Sequence, residues 1–117
     1  MKILFIINDA PYRTEKAYNA LRMATNLQKR EDEIEVRFFL LADAVACALP
    51  NQIVPNGFYN IQRMLKSVIS HGGEVQTWGS FADDLGLREL KMMEGVELSN
   101  MNQLCQWKVA SDRVLVF

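Results

Sequence analysis

The chain has little of what most reactive sites are built from: two cysteines and one histidine in 117 residues. Cys47 and Cys105 stand far apart with no CxxC pair, which argues against a zinc ribbon or a disulfide framework, and no metal site is expected. His71 follows a helical pattern, where an imidazole commonly partners a carbonyl and is seldom a general base. Long hydrophobic runs are missing as well. Arg37 and Asp43 interrupt the best candidate for a membrane span. The apolar run after Met1 is too short for the core of a signal peptide and meets Asn8-Asp9 instead of a small-residue cleavage site, so a cytoplasmic protein is expected. An excess of one charge is absent too. The net charge is -1, with Lys and Arg scattered among acids, so the basic stripe that nucleic-acid binding requires is not there.

What is present is a core-forming pattern: half of the residues are hydrophobic, and strand and helix signals alternate. Ile3 to Ile7 is a continuous apolar run of the kind buried on both faces of a sheet. Ala17, Tyr18, Leu21, Ala24 and Leu27 recur at helical spacing between Thr14 and Lys29. Ile34, Val36 and Phe38 alternate with charged residues and lead into Phe39-Leu40-Leu41, a second strand. Asp43 is placed to cap a short helix reaching Ala48, and Pro50 with Pro55-Asn56-Gly57 marks a loop.

A helix from about Phe58 to Ser70 carries Ile61, Met64, Leu65, Val68 and Ile69 on one face and stops at His71-Gly72-Gly73, where glycine is free to turn left-handed. Glu74 to Trp78 is a third strand, and a short extra strand is expected near Val96. Leu98, Met101, Leu104, Cys105 and Val109 define a last helix, with Cys105 packed and inert on its apolar stripe. Arg113 to Phe117 is a last strand. With no repeat, low-complexity segment or linker, residues 1–117 read as one domain of α/β class, a three-layer α/β/α arrangement on a mainly parallel sheet of four to five strands. Ligands in such sheets sit beyond the carboxyl ends of the strands, which singles out the loops 8–13, 41–47 and 78–84.

Asn8-Asp-Ala-Pro-Tyr12 after strand one, Leu40-Leu-Ala-Asp-Ala-Val45 after strand two, Gly57-Phe-Tyr-Asn-Ile-Gln62, Glu94-Gly-Val-Glu97, Gln106-Trp107 and the ending Ser111-Asp-Arg-Val-Leu-Val-Phe117 together resemble the DsrE/DsrF family, in its YchN-like branch. The resemblance covers essentially the whole chain and rests on the order and spacing of these pieces. It implies a compact α/β fold, assembly as a homotrimer or homohexamer, and kinship with proteins that carry a persulfide sulfur on a cysteine in the loop after strand three. Here the sequence departs from the pattern. The relay cysteine of the family falls at Phe81, a further upstream cysteine of some members falls at Trp78, and Asp83 and Asp84 would disfavour a thiolate nearby.

The site expected from these loops is a pocket of Asn8, Pro11, Tyr12, Asp43, Trp78, Ser80, Phe81 and Asp83, without a cofactor. Three functions are weighed against one another. The first is a non-catalytic oligomer or small-ligand binder; the second is a sulfurtransferase working through Cys47, whose alanine neighbours offer nothing basic to lower its pKa. The third is other chemistry on Asp43, Ser80, Asp83 or Asp84, against which stands the plainer reading of Ser80 as a helix cap and of the two acids as first-turn residues. A small molecule or a sulfur-relay protein is the partner class these readings admit. Ile53, Val54, Phe58, Met92 and Met93 are large hydrophobes in loop segments and are expected to form a subunit interface.

Overall fold

A computed structural model describes residues 1–30, 33–52, 54, 59–79 and 91–117. Five strands form one sheet: β1 (Lys2–Ile7), β2 (Glu35–Leu40), β3 (Glu74–Trp78), β4 (Val96–Ser99) and β5 (Arg113–Val116), in the order β4-β3-β2-β1-β5. Every neighbouring pair is parallel, with Phe5 beside Phe38, Phe38 beside Val75, Val75 beside Val96, and Phe5 beside Leu115. The order explains the layers. α1 (Lys16–Gln28) and α2 (Ile61–Ser70) join strands that step one way along the sheet, whereas α3 (Met101–Ala110) returns from one edge to the other. Right-handed crossovers therefore place α3 on the opposite face from α1 and α2. This is the expected three-layer α/β fold.

The two faces have separate cores, because side chains alternate along a strand. On the α1/α2 face, Phe5, Ile7, Val36, Phe38, Leu40 and Val75 pack with Ala17, Leu21, Ala24, Ile61, Leu65 and Val68. Phe5 and Phe38 stack across the register at 4.8 Å. On the α3 face, Leu4, Ile6 and Phe39 meet Leu104 and Trp107, with Phe39 and Trp107 edge to face at 6.2 Å. Arg37 emerges on the same face, its guanidinium 5.1 Å from the Trp107 ring and 3.5 Å from Glu74.

Element ends depart from the sequence reading where local hydrogen bonds intervene. α1 starts at Lys16 because the Thr14 hydroxyl is already engaged, donating to Asp9 Oδ2 at 3.0 Å and accepting from the Lys16 amide at 3.2 Å. α2 starts at Ile61, where the Asn60 side chain accepts from the Arg63 amide at 3.0 Å. It stops as expected: Gly72 takes φ +91°, and the His71 ring contacts the Ser67 carbonyl at 2.7 Å. Gly73 is required for another reason, since a Cβ there would lie 2.6 Å from Val68 Cγ1.

Four expectations need correction. Asp43 does not cap the segment after β2, which is a 3₁₀ turn over Ala42–Ala48 entered from Leu41 without a side-chain cap; Asp43 lies exposed in its first turn. Cys105 is exposed, because the inward positions of α3 are Leu104 and Trp107 and Cys105 lies about 100° around the helix from Leu104. Leu98 belongs to β4, and Met101 and Val109 are exposed. Met93 is not an interface residue of the kind expected: it is 3% exposed within the α1/α2 core, its amide donating to the Ala48 carbonyl at 2.9 Å. Met92 is half-buried against the same core and Val54 is half-buried, while Ile53 and Phe58 lie outside the described residues.

Candidate functional site

Because all strands run in one sense, the segments that follow β1, β2 and β3 start from the same edge of the sheet. Asn8 continues β1 and is tied to the end of the chain, its amide donating to the Phe117 carbonyl at 2.9 Å. Asp9 then organises the turn, receiving the Thr14 hydroxyl and lying 3.6 Å from Lys16 Nζ. Pro11 is buried and Tyr12 half-buried. The Tyr12 phenol oxygen accepts from the Ile61 amide at 3.1 Å, which satisfies one of the free donors at the start of α2 and couples the β1 loop to that helix.

Aromatic stacking extends this coupling. Tyr59 lies between Tyr12, at 5.9 Å, and Tyr18 of α1, at 3.8 Å and nearly coplanar. Arg22 completes the stack, its guanidinium 5.2 Å from the Tyr18 ring centre. Burial, and secondarily the Glu15 carboxylate, push the Tyr59 phenol pKa up, so it stays a neutral hydroxyl directed at the Thr14 carbonyl at 3.4 Å.

Cys47 lies below this edge. It is buried in the α1/α2 core, with Sγ 4.0 Å from the Asp9 carbonyl. Desolvation pushes its pKa from 9.0 to about 12, only partly opposed by the backbone hydrogen bond. At neutral pH that leaves about one thiolate in 100,000, far from what a sulfur nucleophile needs. Among the described residues, no group of three or more His, Cys, Asp or Glu could hold a metal.

The structure brings Asn8, Pro11 and Tyr12 together in the β1 loop and sets Asp43 at the end of β2, entered through Ala42 in a left-handed conformation with φ 49°. Non-glycine residues adopt that conformation at a cost of about 1 kcal/mol. Trp78 ends β3 at the same edge but packs on the α3 side, whereas Tyr12 packs with the α1/α2 core. Ser80, Phe81 and Asp83 lie outside the described residues, as does Asp84. Sequence reading missed Asp9, Thr14, Tyr18 and Tyr59. Asp9 and Thr14 were findable as an acid and a hydroxyl five apart across a proline turn, but nothing local announces that Tyr59 meets Tyr12 and Tyr18.

Comparison with known proteins follows the same outline. A family model described as the DsrE/DsrF-like family matches residues 1–117. Protein YchN of Escherichia coli K12 is 36% identical over 116 residues, covering 99% of this chain and 98% of that protein. Protein MJ0989 of Methanocaldococcus jannaschii is 38% identical over 117 residues, the full length of both chains. The crystal structure of the E. coli ychN protein superposes with a TM-score of 0.93, covering 100% of this chain and 99% of that one. MTH1491 of Methanobacterium thermoautotrophicum shares the fold at 9% identity, with a TM-score of 0.81 over 99% of this chain and 98% of its own.

Proposed function

The chain belongs to the DsrE/DsrF-like family, and on that premise we propose that it is a homo-oligomeric, non-catalytic member that binds a small molecule at the carboxyl edge of its sheet. The observation that carries this reading is the state of Cys47: buried, desolvated and held as a thiol. Cys105, the other cysteine of the chain, sits on the outer side of α3. In this reading Phe81 falls at the sequence position of the family's relay cysteine, and a phenylalanine offers no thiolate to carry sulfur. The tyrosine stack and the Asp9 turn supply a rigid polar and aromatic rim on the β1 side.

Sulfur transfer through Cys47 is the competing reading, and it requires the thiol to leave the core. Intact-mass analysis after incubation with cysteine persulfide separates the two. Any gain of a sulfur atom is expected to reside on exposed Cys105 and to vanish in Cys105→Ser. A gain that persists in Cys105→Ser and disappears in Cys47→Ser overturns the non-catalytic reading. The assembly is a trimer or a hexamer of two trimers in this proposal, and a stable monomer in sedimentation at micromolar concentration overturns that part.

A further inference from the structure

The loop after β1 is anchored firmly at its two ends and lightly between them. At one end the Asn8 amide bonds the Phe117 carbonyl at 2.9 Å, and at the other Lys16 begins α1, with the Thr14 hydroxyl and Lys16 Nζ both drawn to Asp9. Among the described residues, hydrogen bonds from residues 9–14 to chain beyond α1 come from two phenols and one thiol. The phenols run in opposite directions. Tyr12 reaches from the loop to the start of α2, its oxygen accepting from the Ile61 amide at 3.1 Å, while Tyr59 reaches back from the entry of α2 and donates to the Thr14 carbonyl at 3.4 Å. Their rings stack at 5.9 Å, and Tyr59 stacks on Tyr18 at 3.8 Å, so neither phenol swings out without losing its ring contact as well.

The thiol is Cys47, which lies beneath. Its Sγ is 4.0 Å from the Asp9 carbonyl, and Cys47 is 1% exposed while Asp9 is half-buried. We propose that residues 9–14 form a hinged cover over Cys47, latched by the reciprocal clasp of Tyr12 and Tyr59, and that breaking the clasp lets this loop open while the rest of the protomer stays folded. With the clasp shut, a reagent reaches Cys47 only through unfolding of the whole protomer. With a phenol tie and its ring contact removed, the open population rises roughly tenfold, and opening of the loop alone becomes the faster route. Uncovering also relieves the desolvation that pushes the thiol pKa up, so the cover governs reactivity as well as access. A thiol guarded in this way is protected from oxidants in the resting protein. The device works whether or not Cys47 ever carries sulfur, and it goes beyond the function proposed above without depending on it.

Maleimide labelling of Cys47 in a Cys105→Ser background, followed by intact mass at one protein concentration and at rising urea below the unfolding transition, tests the clasp. Opening a short loop exposes little surface, so labelling by that route is nearly independent of urea, whereas labelling through global unfolding climbs steeply with it. The background protein should show the steep dependence. Tyr59→Leu removes the tie to Thr14 and both ring stacks, and should label roughly tenfold faster without urea, at a rate that stays flat as urea is added. Tyr12→Phe keeps the stack and loses only the acceptor for the Ile61 amide, so it should shift the same way by a few fold. Leu104→Ala, on the other face of the sheet, is the control: it destabilises the protomer and should keep the steep dependence. A steep dependence in Tyr59→Leu, however fast its labelling, signals general destabilisation and overturns the clasp. A flat dependence in the background protein overturns it too, because the thiol is then reached with both tyrosines in place. If Tyr59→Leu does not fold, Tyr12→Phe carries the test alone, and an unchanged labelling rate in it overturns the clasp.

Discussion

On one face of the sheet Phe5, Phe38 and Leu40 are sealed beneath α1 and α2, whereas on the other Leu4, Ile6 and Phe39 lie beneath α3, whose outer side still shows Met101, Cys105 and Val109 to solvent. The two cysteines divide in the same way. Cys47 is part of the first core and is chemically muted by it, while Cys105 stands on the far side of α3. The difference teaches that the α1/α2 face is the more fully closed of the two, and that the α3 face rests on a smaller core under a single helix.

The largest effect that would break the comparison is a deletion in the first core. Phe38→Ala removes a fully buried ring stacked on Phe5 and is expected to cost about 4 kcal/mol in urea unfolding. Leu104→Ala, at the α3 face, should cost less, about 2 to 3 kcal/mol, because its cavity lies under a single helix that can settle. Equal losses from the two variants would show that the faces are equally closed within one protomer.

Next in size is an alkaline effect confined to Cys47. Its folded pKa is raised, so the neutral thiol stabilises the fold fully below pH 9, and the contribution is lost as pH rises through about 12. Between pH 9 and pH 10 wild type should lose about 1 kcal/mol more than Cys47→Ala, read as the difference between the two unfolding curves. A parallel pair of curves would mean that the thiol is not desolvated. Thiol labelling sharpens the same contrast: a maleimide should modify Cys105 within minutes and Cys47 only on unfolding. The smallest effect is expected for Tyr12→Phe, which strips the acceptor from the Ile61 amide and should cost about 0.5 to 1 kcal/mol while the ring stack on Tyr59 remains.

Much of the architecture was legible because its signals are local. β3 begins and ends where the sequence reading put it, the buried face of α2 carries the residues its period named, and the stop at Gly72 follows from a backbone conformation that glycine adopts freely. The errors share a cause. Asp43 looked like a cap because an aspartate oxygen can accept from the free amides of a helix start, yet the chain turns through left-handed Ala42 before reaching it. Met93 looked wet because it precedes no clear element, yet its amide reaches the Ala48 carbonyl and its side chain joins a core assembled from distant segments. Cys105 looked packed because five apolar residues seemed to share one helix face, when Leu98 belongs to a strand and only Leu104 and Trp107 turn inward.

Of the candidate site, sequence supplied the loops and the sense of the strands, and it named Asn8, Pro11, Tyr12 and Asp43 among their residues. It did not supply the Tyr12–Tyr59–Tyr18–Arg22 stack, which joins residues up to 47 positions apart in the chain. By itself, then, the sequence determined the alternation of strands and helices and the parallel sheet, since these follow from hydrophobic period, turn chemistry and the handedness of crossovers, and it carried the family through a resemblance that spans the chain. Tertiary structure alone decided which cysteine is buried, which methionine is core and which face of α3 is left open, because burial depends on what other segments arrive at a residue, and no window of sequence around it contains them.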